Sequence, residues 1–215
     1  FPYTTLFRSP PEIKALADAV KPHGMKLHMD GARFANALVS LGCTPAEMTW
    51  KAGIDVLSFG GTKNGAMILE CVVFFDEALS ADFLYRRKRV GQLLSKGRYL
   101  SAQMLAYLKD DLWLDNARRA NDVAQVLSKG LNQVKGIRVS QPTQANEVFA
   151  TMPRALFDKL TAAGANFYEW PIDGLADHEI HTRFVLSWAT PENDISKFLK
   201  LFNYKIYFIN EIING

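Results

Sequence analysis

Apolar runs in the first half of the chain alternate between strand-like and helix-like spacing. Short apolar runs predict strands, and positions repeating every three or four residues predict helices. The predicted strands are Lys26 to Met29, Val56 to Phe59 and Ala66 to Phe75, and the predicted helices are Pro11 to Lys21, Arg33 to Leu41, Thr44 to Ala52 and a long helical region from Asp76 to Leu108. This alternation predicts an α/β domain with a mostly parallel sheet and helices on both faces.

The second half changes pattern near residue 110. The predicted helices are Leu114 to Val134, Pro153 to Ala163 and one that starts at Pro191, and the predicted strands are Ile137 to Ser140, Glu147 to Met152, Phe167 to Trp170 and Arg183 to Trp188. The polar stretch from Asp177 to His181 is interpreted as a loop, because its two histidines lack the spacing of a zinc motif. We therefore expect a partial large domain over residues 11–110 and a small α+β domain over residues 111–202.

One lysine, Lys63, lies in a glycine-rich turn between two of the predicted strands. The segment from Ser58 to Gly65 reads Ser-Phe-Gly-Gly-Thr-Lys-Asn-Gly. If burial shields this amine, its neutral form is favoured and can attack an aldehyde. The segment does not match a phosphate-binding P-loop, since Thr62 precedes the lysine where that motif has glycine. An ordinary turn is the alternative interpretation.

A carboxylate, Asp30, ends an earlier predicted strand, and Arg33 follows it at the start of a predicted helix. The carboxyl ends of parallel strands line the ligand crevice in α/β sheets, so we expect Asp30 and Lys63 to face the same space. A carboxylate beside a pyridine nitrogen keeps that nitrogen protonated, which is the requirement of pyridoxal phosphate chemistry. The alternative is an Asp-Gly turn or helix cap.

The segments from His28 to Ala37 and from Ser58 to Gly65 together closely resemble the low-specificity L-threonine aldolases. These belong to the β-eliminating lyase group of fold-type-I pyridoxal phosphate enzymes. The resemblance extends from about Pro11 to about Phe202. It implies that Lys63 binds pyridoxal 5'-phosphate covalently, that Asp30 pairs with the pyridine nitrogen, and that Arg33 supports the cofactor side of the site.

Two further segments resemble the family. Around Arg183, the run Thr-Arg-Phe-Val-Leu-Ser-Trp is similar to the strand whose arginine binds the substrate carboxylate. A planar guanidinium suits such bidentate binding. The basic run that begins at Tyr85 is similar to the segment that directs cations to the phosphate of a neighbouring subunit's cofactor, with Arg98 and Lys88 as the candidates. A solvated basic helix face is the alternative interpretation.

The resemblance implies an activity: cleavage of L-threonine or L-allo-threonine, a β-hydroxy amino acid, to glycine and acetaldehyde by a homo-oligomer, a dimer or a tetramer. Two alternatives remain open. The first is that the chain is part of another fold-type-I lyase or of an aminotransferase. The second is that it is a non-catalytic fragment. The general base cannot be assigned from this sequence.

The two ends of the sequence differ from the family. Residues 1–10 are expected to be a non-native leader and residues 203–215 an atypical tail rich in Ile, Asn and Tyr. The family's phosphate-binding loop and its ring-stacking residue lie upstream of the segment around Asp30. We therefore expect the chain to be the carboxyl portion of a longer enzyme and to be inactive alone.

Composition narrows the function classes. The net charge of +3 over 215 residues, without aromatic residues among the basic run, argues against a nucleic-acid partner. No apolar run reaches membrane-spanning length, so no membrane partner is expected. Cys43 and Cys71 form no metal-ligand spacing, and we expect no metal site. Free thiols of this kind favour a cytoplasmic location.

Overall fold

The computed structural model describes residues 7–203. In this range the α-helices are α1 (Pro10–Val20), α2 (Phe34–Leu41), α3 (Pro45–Met48), α4 (Phe83–Arg89), α5 (Arg98–Leu108), α6 (Leu112–Leu131), α7 (Arg154–Ala162) and α8 (Glu192–Asn203). The strands are β1 (His28–Gly31), β2 (Val56–Gly60), β3 (Glu70–Phe74), β4 (Arg138–Val139), β5 (Glu147–Pro153), β6 (Tyr168–Glu169) and β7 (Glu179–Val185). The chain divides into two units, of which the first ends at Arg118 and the second begins at Arg119, inside α6.

The first unit contains a three-stranded mixed sheet in the order β1-β2-β3. Strands β1 and β2 are parallel, and Asp30 lies opposite Ser58 in their register. Strand β3 is antiparallel to β2, with Glu70 opposite Gly60. The predicted parallel pairing is therefore present between β1 and β2, whereas the third strand returns in the opposite direction through a loop too short for a parallel crossover.

One face of this sheet packs on the core of the first unit. Leu57 and Phe59 are buried on this face, and Phe59 meets the rings of Phe34 and Trp113 edge to face. Gly31 permits the close approach of β1 to β2, because a Cβ atom there would lie 2.6 Å from the Ser58 carbonyl oxygen. Side chains alternate between faces along a strand, so Asp30 and Ser58 lie on the opposite face.

The second unit contains a four-stranded antiparallel sheet in the order β4-β5-β7-β6. Val148 and Met152 of β5 and Ile180 of β7 are buried in one apolar cluster with residues of α6, α7 and α8. Phe167 and Phe184 stack with ring centroids 4.6 Å apart in the same cluster. This unit has the α+β character that the sequence predicts.

Three predictions of secondary structure are wrong. The helical region predicted from Asp76 to Leu108 is interrupted: α4 ends at Arg89 and α5 begins at Arg98, and Gly91 between them has φ 74°, outside the helical region. The strand predicted from Ala66 begins only at Glu70. The supposed loop from Asp177 to His181 contributes its last three residues to β7.

The error in β7 arises from buried polar side chains. His181 is 2% exposed and Thr182 is fully buried, although both residue types suggest a surface loop. Thr182 donates a hydrogen bond to the Ala150 carbonyl at 2.9 Å, and His181 Nδ1 lies 3.0 Å from Thr151 Oγ1. Because neighbouring strands supply these partners, the polar groups are tolerated inside the unit.

Some expectations fall outside the described range. Residues 1–6 of the predicted leader and residues 204–215 of the predicted tail are not described. Phe7, the first described residue, lies half-buried against the apolar core of the first unit.

Between residues 7 and 203, no helix is both long and apolar enough to cross a bilayer.

The buried His181 predicts a pH-dependent stability for the second unit. Burial lowers the pKa of His181 below its ordinary value near 6.5, so the unfolded chain binds the proton more readily than the native chain. The stabilisation is present above the unfolded-state pKa and is lost as pH falls below it. We expect the urea midpoint to fall between pH 7 and pH 5.5, and His181→Gln to reduce this fall. The exposed His178→Gln is the matched control, and an equal pH response in all three proteins would contradict the prediction.

Candidate active site

Asp30 lies on the exposed face of the first sheet, one residue before β1 ends. Its Oδ1 accepts a hydrogen bond from the Ala32 backbone N–H at 3.0 Å, which orients the carboxylate at the carboxyl end of the strand. Two residues earlier, on the same face, His28 Nε2 lies 2.8 Å from Ser58 Oγ on β2. The exposed face therefore carries an oriented carboxylate beside an imidazole–hydroxyl pair.

Lys63 lies three residues beyond the end of β2, in the 3-10 turn Thr62–Asn64. Because β1 and β2 are parallel, Asp30 and the start of this turn lie at the same edge of the sheet. The Lys63 side chain is exposed, so the expectation that burial shields its amine is wrong for the chain as described.

The residue after Lys63 is anchored in the core. Asn64 is buried, and its Nδ2 donates hydrogen bonds to Tyr107 Oη and to the Trp113 carbonyl, each at 2.7 Å. The Asn64 carbonyl in turn accepts a hydrogen bond from Asn116 Nδ2 at 3.0 Å. Burial raises the pKa of Tyr107 above its ordinary value, so the phenol stays protonated at neutral pH. Lys63 is thus exposed, while the backbone next to it is held by the hydrogen bonds of the buried Asn64.

The other predicted cofactor contacts lie in three places in the first unit. Arg33 is half-buried directly before α2, two residues after β1. Arg98 is the first residue of α5 and Lys88 lies in α4, and both are exposed. The structure therefore brings Asp30 and the Lys63 turn to one sheet edge, and Arg33 follows Asp30 by three residues. Arg98 and Lys88 instead lie in helices that follow β3.

In the second unit, Arg183 has a defined environment on β7. Its guanidinium carbon lies 4.1 Å from the centroid of the Trp170 ring. Arg183 Nη1 lies 3.6 Å from Oε1 of Glu147, whose side chain is 3% exposed. Within residues 7–203, Arg183 Nε is buried and has no hydrogen-bond partner. A guanidinium held by a ring and a buried carboxylate can present its remaining N–H groups in a set direction.

The two cysteines offer no activated nucleophile. Burial raises the pKa of both the Cys43 and the Cys71 thiol, and the nearby carboxylates of Glu47 and Glu70 raise them further. A raised pKa lowers the thiolate fraction that would react or bind a metal. In the part of the chain that the structure describes, no three His, Cys, Asp or Glu side chains are grouped as metal ligands.

The sequence analysis missed the residues that support the lysine turn. Asn64 is part of the motif around Lys63, but nothing in its neighbours indicates that it is buried. Tyr107 and Asn116 are more than forty residues away in the chain, and only tertiary contacts reveal them. The sequence around Asn64 gave no sign of burial. An amide side chain in a glycine-rich turn is usually expected to be exposed to solvent.

Comparison with known families identifies the group to which these residues belong. The sequence model of the beta-eliminating lyase family matches residues 7–153. The chain belongs to the beta-eliminating lyase family. This match covers the β1 and β2 strands and the turn that carries Lys63, and it confirms the resemblance drawn from the two motifs.

Within this family, similar curated proteins are low-specificity L-threonine aldolases. The protein from a Pseudomonas species is 48% identical over 183 residues, which cover 85% of this chain and 51% of that protein. The protein from Pseudomonas aeruginosa is 45% identical over 186 residues, which cover 86% of this chain and 52% of that protein. The chain spans about half the length of the curated relatives it matches.

Solved structures confirm the α/β fold. A threonine aldolase from Leishmania major has a TM-score of 0.85 at 26% identity, covering 95% of this chain and 58% of that chain. The TDC of Oryza sativa, solved with PLP and tryptamine, has a TM-score of 0.67 at 14% identity, covering 96% of this chain and 46% of that chain. The second comparison shows a shared fold only.

The buried support of the lysine turn predicts a stability effect. Tyr107→Phe keeps the ring but removes the oxygen that accepts from Asn64, leaving a buried donor unsatisfied. We expect the free energy of unfolding to fall by about 1–3 kcal/mol. Tyr99→Phe is the control, because Tyr99 is 63% exposed. Urea denaturation compares the two variants, and equal midpoints would show that the Tyr107 hydroxyl contributes nothing.

Proposed function

We propose that the chain contributes the cofactor-binding lysine and the substrate-binding arginine of a pyridoxal 5'-phosphate-dependent L-threonine aldolase. The observation that carries this proposal is the common position of Asp30 and the Lys63 turn at the carboxyl edge of the β1–β2 pair. The similarity to low-specificity L-threonine aldolases supports the choice of substrate class.

The groups at this edge fit the proposed cofactor. Asp30 offers an acidic oxygen at an exposed strand end, and its Oδ1 already holds the Ala32 amide, which fixes its direction. Lys63 offers an exposed amine on an anchored turn. A carboxylate that accepts from the protonated pyridine nitrogen and an amine that condenses with the aldehyde are the two groups that pyridoxal phosphate needs.

When bound, pyridoxal 5'-phosphate supplies an aldehyde that condenses with amines and a protonated ring that accepts electrons. In this proposal, Lys63 Nζ holds the cofactor covalently and Asp30 keeps a proton on its ring nitrogen. Arg33 supports the cofactor side, and Arg98 and Lys88 are the candidates for the phosphate of a neighbouring subunit's cofactor. Arg183 binds the substrate carboxylate, so that the bond between Cα and Cβ is oriented for cleavage to glycine and acetaldehyde.

The assignment of Arg183 rests on its surroundings in the second unit. The Trp170 ring and the buried Glu147 leave this side chain 25% exposed. Ordering in advance lowers the entropy cost of binding a small carboxylate.

Homo-oligomeric assembly and cytoplasmic location stay predictions. Both alternatives also stay open: another fold-type-I lyase or aminotransferase, and a non-catalytic fragment.

Product analysis tests the proposed reaction. Supplied with the cofactor and L-threonine, the complete enzyme is expected to form glycine and acetaldehyde in equal amounts. A keto acid as the product would favour an aminotransferase. If the cofactor absorbance of the complete enzyme matched that of the free aldehyde, the chain would be a non-catalytic protein and the proposal would fail.

Lys63→Ala is expected to abolish covalent attachment of the cofactor without changing the fold. The amine is exposed and makes little packing contact, so its loss removes chemistry and not core contacts. Borohydride reduction in the presence of pyridoxal 5'-phosphate, followed by peptide mapping, locates the adduct. An adduct found mainly on a lysine other than Lys63 in the unmodified protein would refute the assignment.

Arg183→Lys is expected to weaken substrate binding much more than cofactor binding. A lysine cannot reproduce the planar pair of donors, and losing a hydrogen bond to a charged group costs about 1.5–3 kcal/mol. This corresponds to an increase of about ten- to a hundredfold in KM for threonine. The measurement is KM beside the cofactor dissociation constant, and equal losses in both would place Arg183 outside the substrate site.

A further inference from the structure

The loop that carries Lys63 is closed at its base by backbone and hydroxyl contacts. The Gly61 and Thr62 amides both donate to the Leu69 carbonyl, at 2.9 and 3.1 Å. The Leu69 amide donates back to Thr62 Oγ1 at 2.9 Å. These bonds define a Lys63 loop of residues 61–69, in which Gly65 has φ 114°, a conformation that favours glycine.

The far side of this loop has little apolar packing to hold it. Met67 is 87% exposed and Ile68 is 63% exposed. Their backbone amides both donate to one atom, Gln103 Oε1, at 3.0 and 3.1 Å. The amide nitrogen of Gln103 donates to the Tyr99 carbonyl at 3.1 Å, which fixes the direction of its side chain. One glutamine therefore ties the exposed end of the loop to α5.

The same helix also holds the buried side of the loop. Gln103 and Tyr107 are four residues apart on α5, and residues at this spacing share a helix face. Tyr107 Oη accepts a hydrogen bond from Asn64, the residue that follows Lys63. Lys63 thus lies in a loop with two attachments to α5, through Asn64 on the buried side and through the Gln103 bridge at Met67 and Ile68 on the exposed side.

We propose that Gln103 and Asn64 are positioning residues that hold the Lys63 loop in the conformation required for covalent attachment of an aldehyde cofactor. This inference rests on the proposed role of Lys63. Ordering a loose backbone carries an entropy cost for every residue that is fixed. A loop that folding has already ordered avoids this cost when the amine reacts, so the attachments to α5 accelerate the reaction without touching the cofactor.

Gln103 is the better residue to test, because it lies at the surface and its substitution does not open the core. Gln103→Met removes the acceptor at similar length, whereas Gln103→Glu keeps an oxygen that can accept from both amides. Gln133→Met is the control, an exposed glutamine in the second unit. Thermal unfolding of all four proteins verifies that each variant folds.

The first measurement is the rate at which pyridoxal 5'-phosphate attaches to Lys63 in the complete enzyme. The amine nitrogen replaces the aldehyde oxygen, which leaves as water, and borohydride then delivers hydride to the carbon. Peptide mapping compares the adduct on Lys63 with that on the exposed Lys129. We expect Gln103→Met to slow attachment at Lys63 about tenfold. Gln103→Glu and Gln133→Met should stay within about twofold of the unmodified chain.

The second measurement needs no cofactor. Amide hydrogen exchange at Met67 and Ile68 should accelerate about tenfold in Gln103→Met and return toward the original rate in Gln103→Glu. Faster exchange together with slower attachment at Lys63, both reversed by Gln103→Glu, would support the inference.

Several outcomes would overturn it. Faster exchange with unchanged attachment would show that the loop is held by Gln103 but that its order is irrelevant to the reaction. Unchanged amide exchange at Met67 and Ile68 would show that Gln103 does not hold the loop. Equally slowed attachment at Lys63 in Gln133→Met would show that the effect is not specific to Gln103. If the unmodified complete enzyme showed no preference for Lys63 over Lys129, the proposed function itself would fail and this inference with it. That result differs from a loss in the variant alone.

Discussion

The parallel pairing of β1 with β2 is the constraint on which the candidate site depends. Parallel strands end at the same edge, so a register that sets Asp30 opposite Ser58 also brings the turn after β2 to that edge. Gly31 makes the pairing possible, because a side chain there would collide with the Ser58 carbonyl. A carboxylate and an amine that are thirty-three residues apart in the chain become neighbours in position through backbone hydrogen bonds alone.

A second requirement is that a reactive amine must be exposed and yet held in place. Direct burial of Lys63 would disfavour its charged form but would also close it to a ligand. The first unit instead buries the next residue, Asn64. Its side-chain amide donates to the Tyr107 phenol and to the Trp113 carbonyl, and its backbone carbonyl accepts from Asn116. These hydrogen bonds offset the cost of burying the polar groups of Asn64. Because Asn64 is fixed, the backbone of the adjacent Lys63 is fixed as well.

The second unit solves a similar problem for a permanent charge. Arg183 alternates along β7 with the fully buried Thr182, so it points to the sheet face opposite the apolar cluster. There the Trp170 ring supports the guanidinium and the buried Glu147 balances its charge. An unpaired buried carboxylate would be costly, and the ion pair with Arg183 lowers this cost for Glu147.

The sequence by itself determined the family and roughly where the strands end, because strand and helix periodicities are local and the motifs around Asp30 and Lys63 are short. It also predicted Asp30 and Lys63 as the candidate site residues. The α/β alternation of the first half and the α+β character of the second half follow from the same local patterns. Tertiary structure alone decided that Asn64 is buried, that Lys63 is exposed, and that His181 belongs to a strand. It also decided that Gln103 supports the loop. The physical reason is that the hydrogen bonds from Asn64 to Tyr107, from Met67 to Gln103 and between Thr151 and His181 join residues between thirty and forty-three positions apart. Folding and not local spacing brings such residues together.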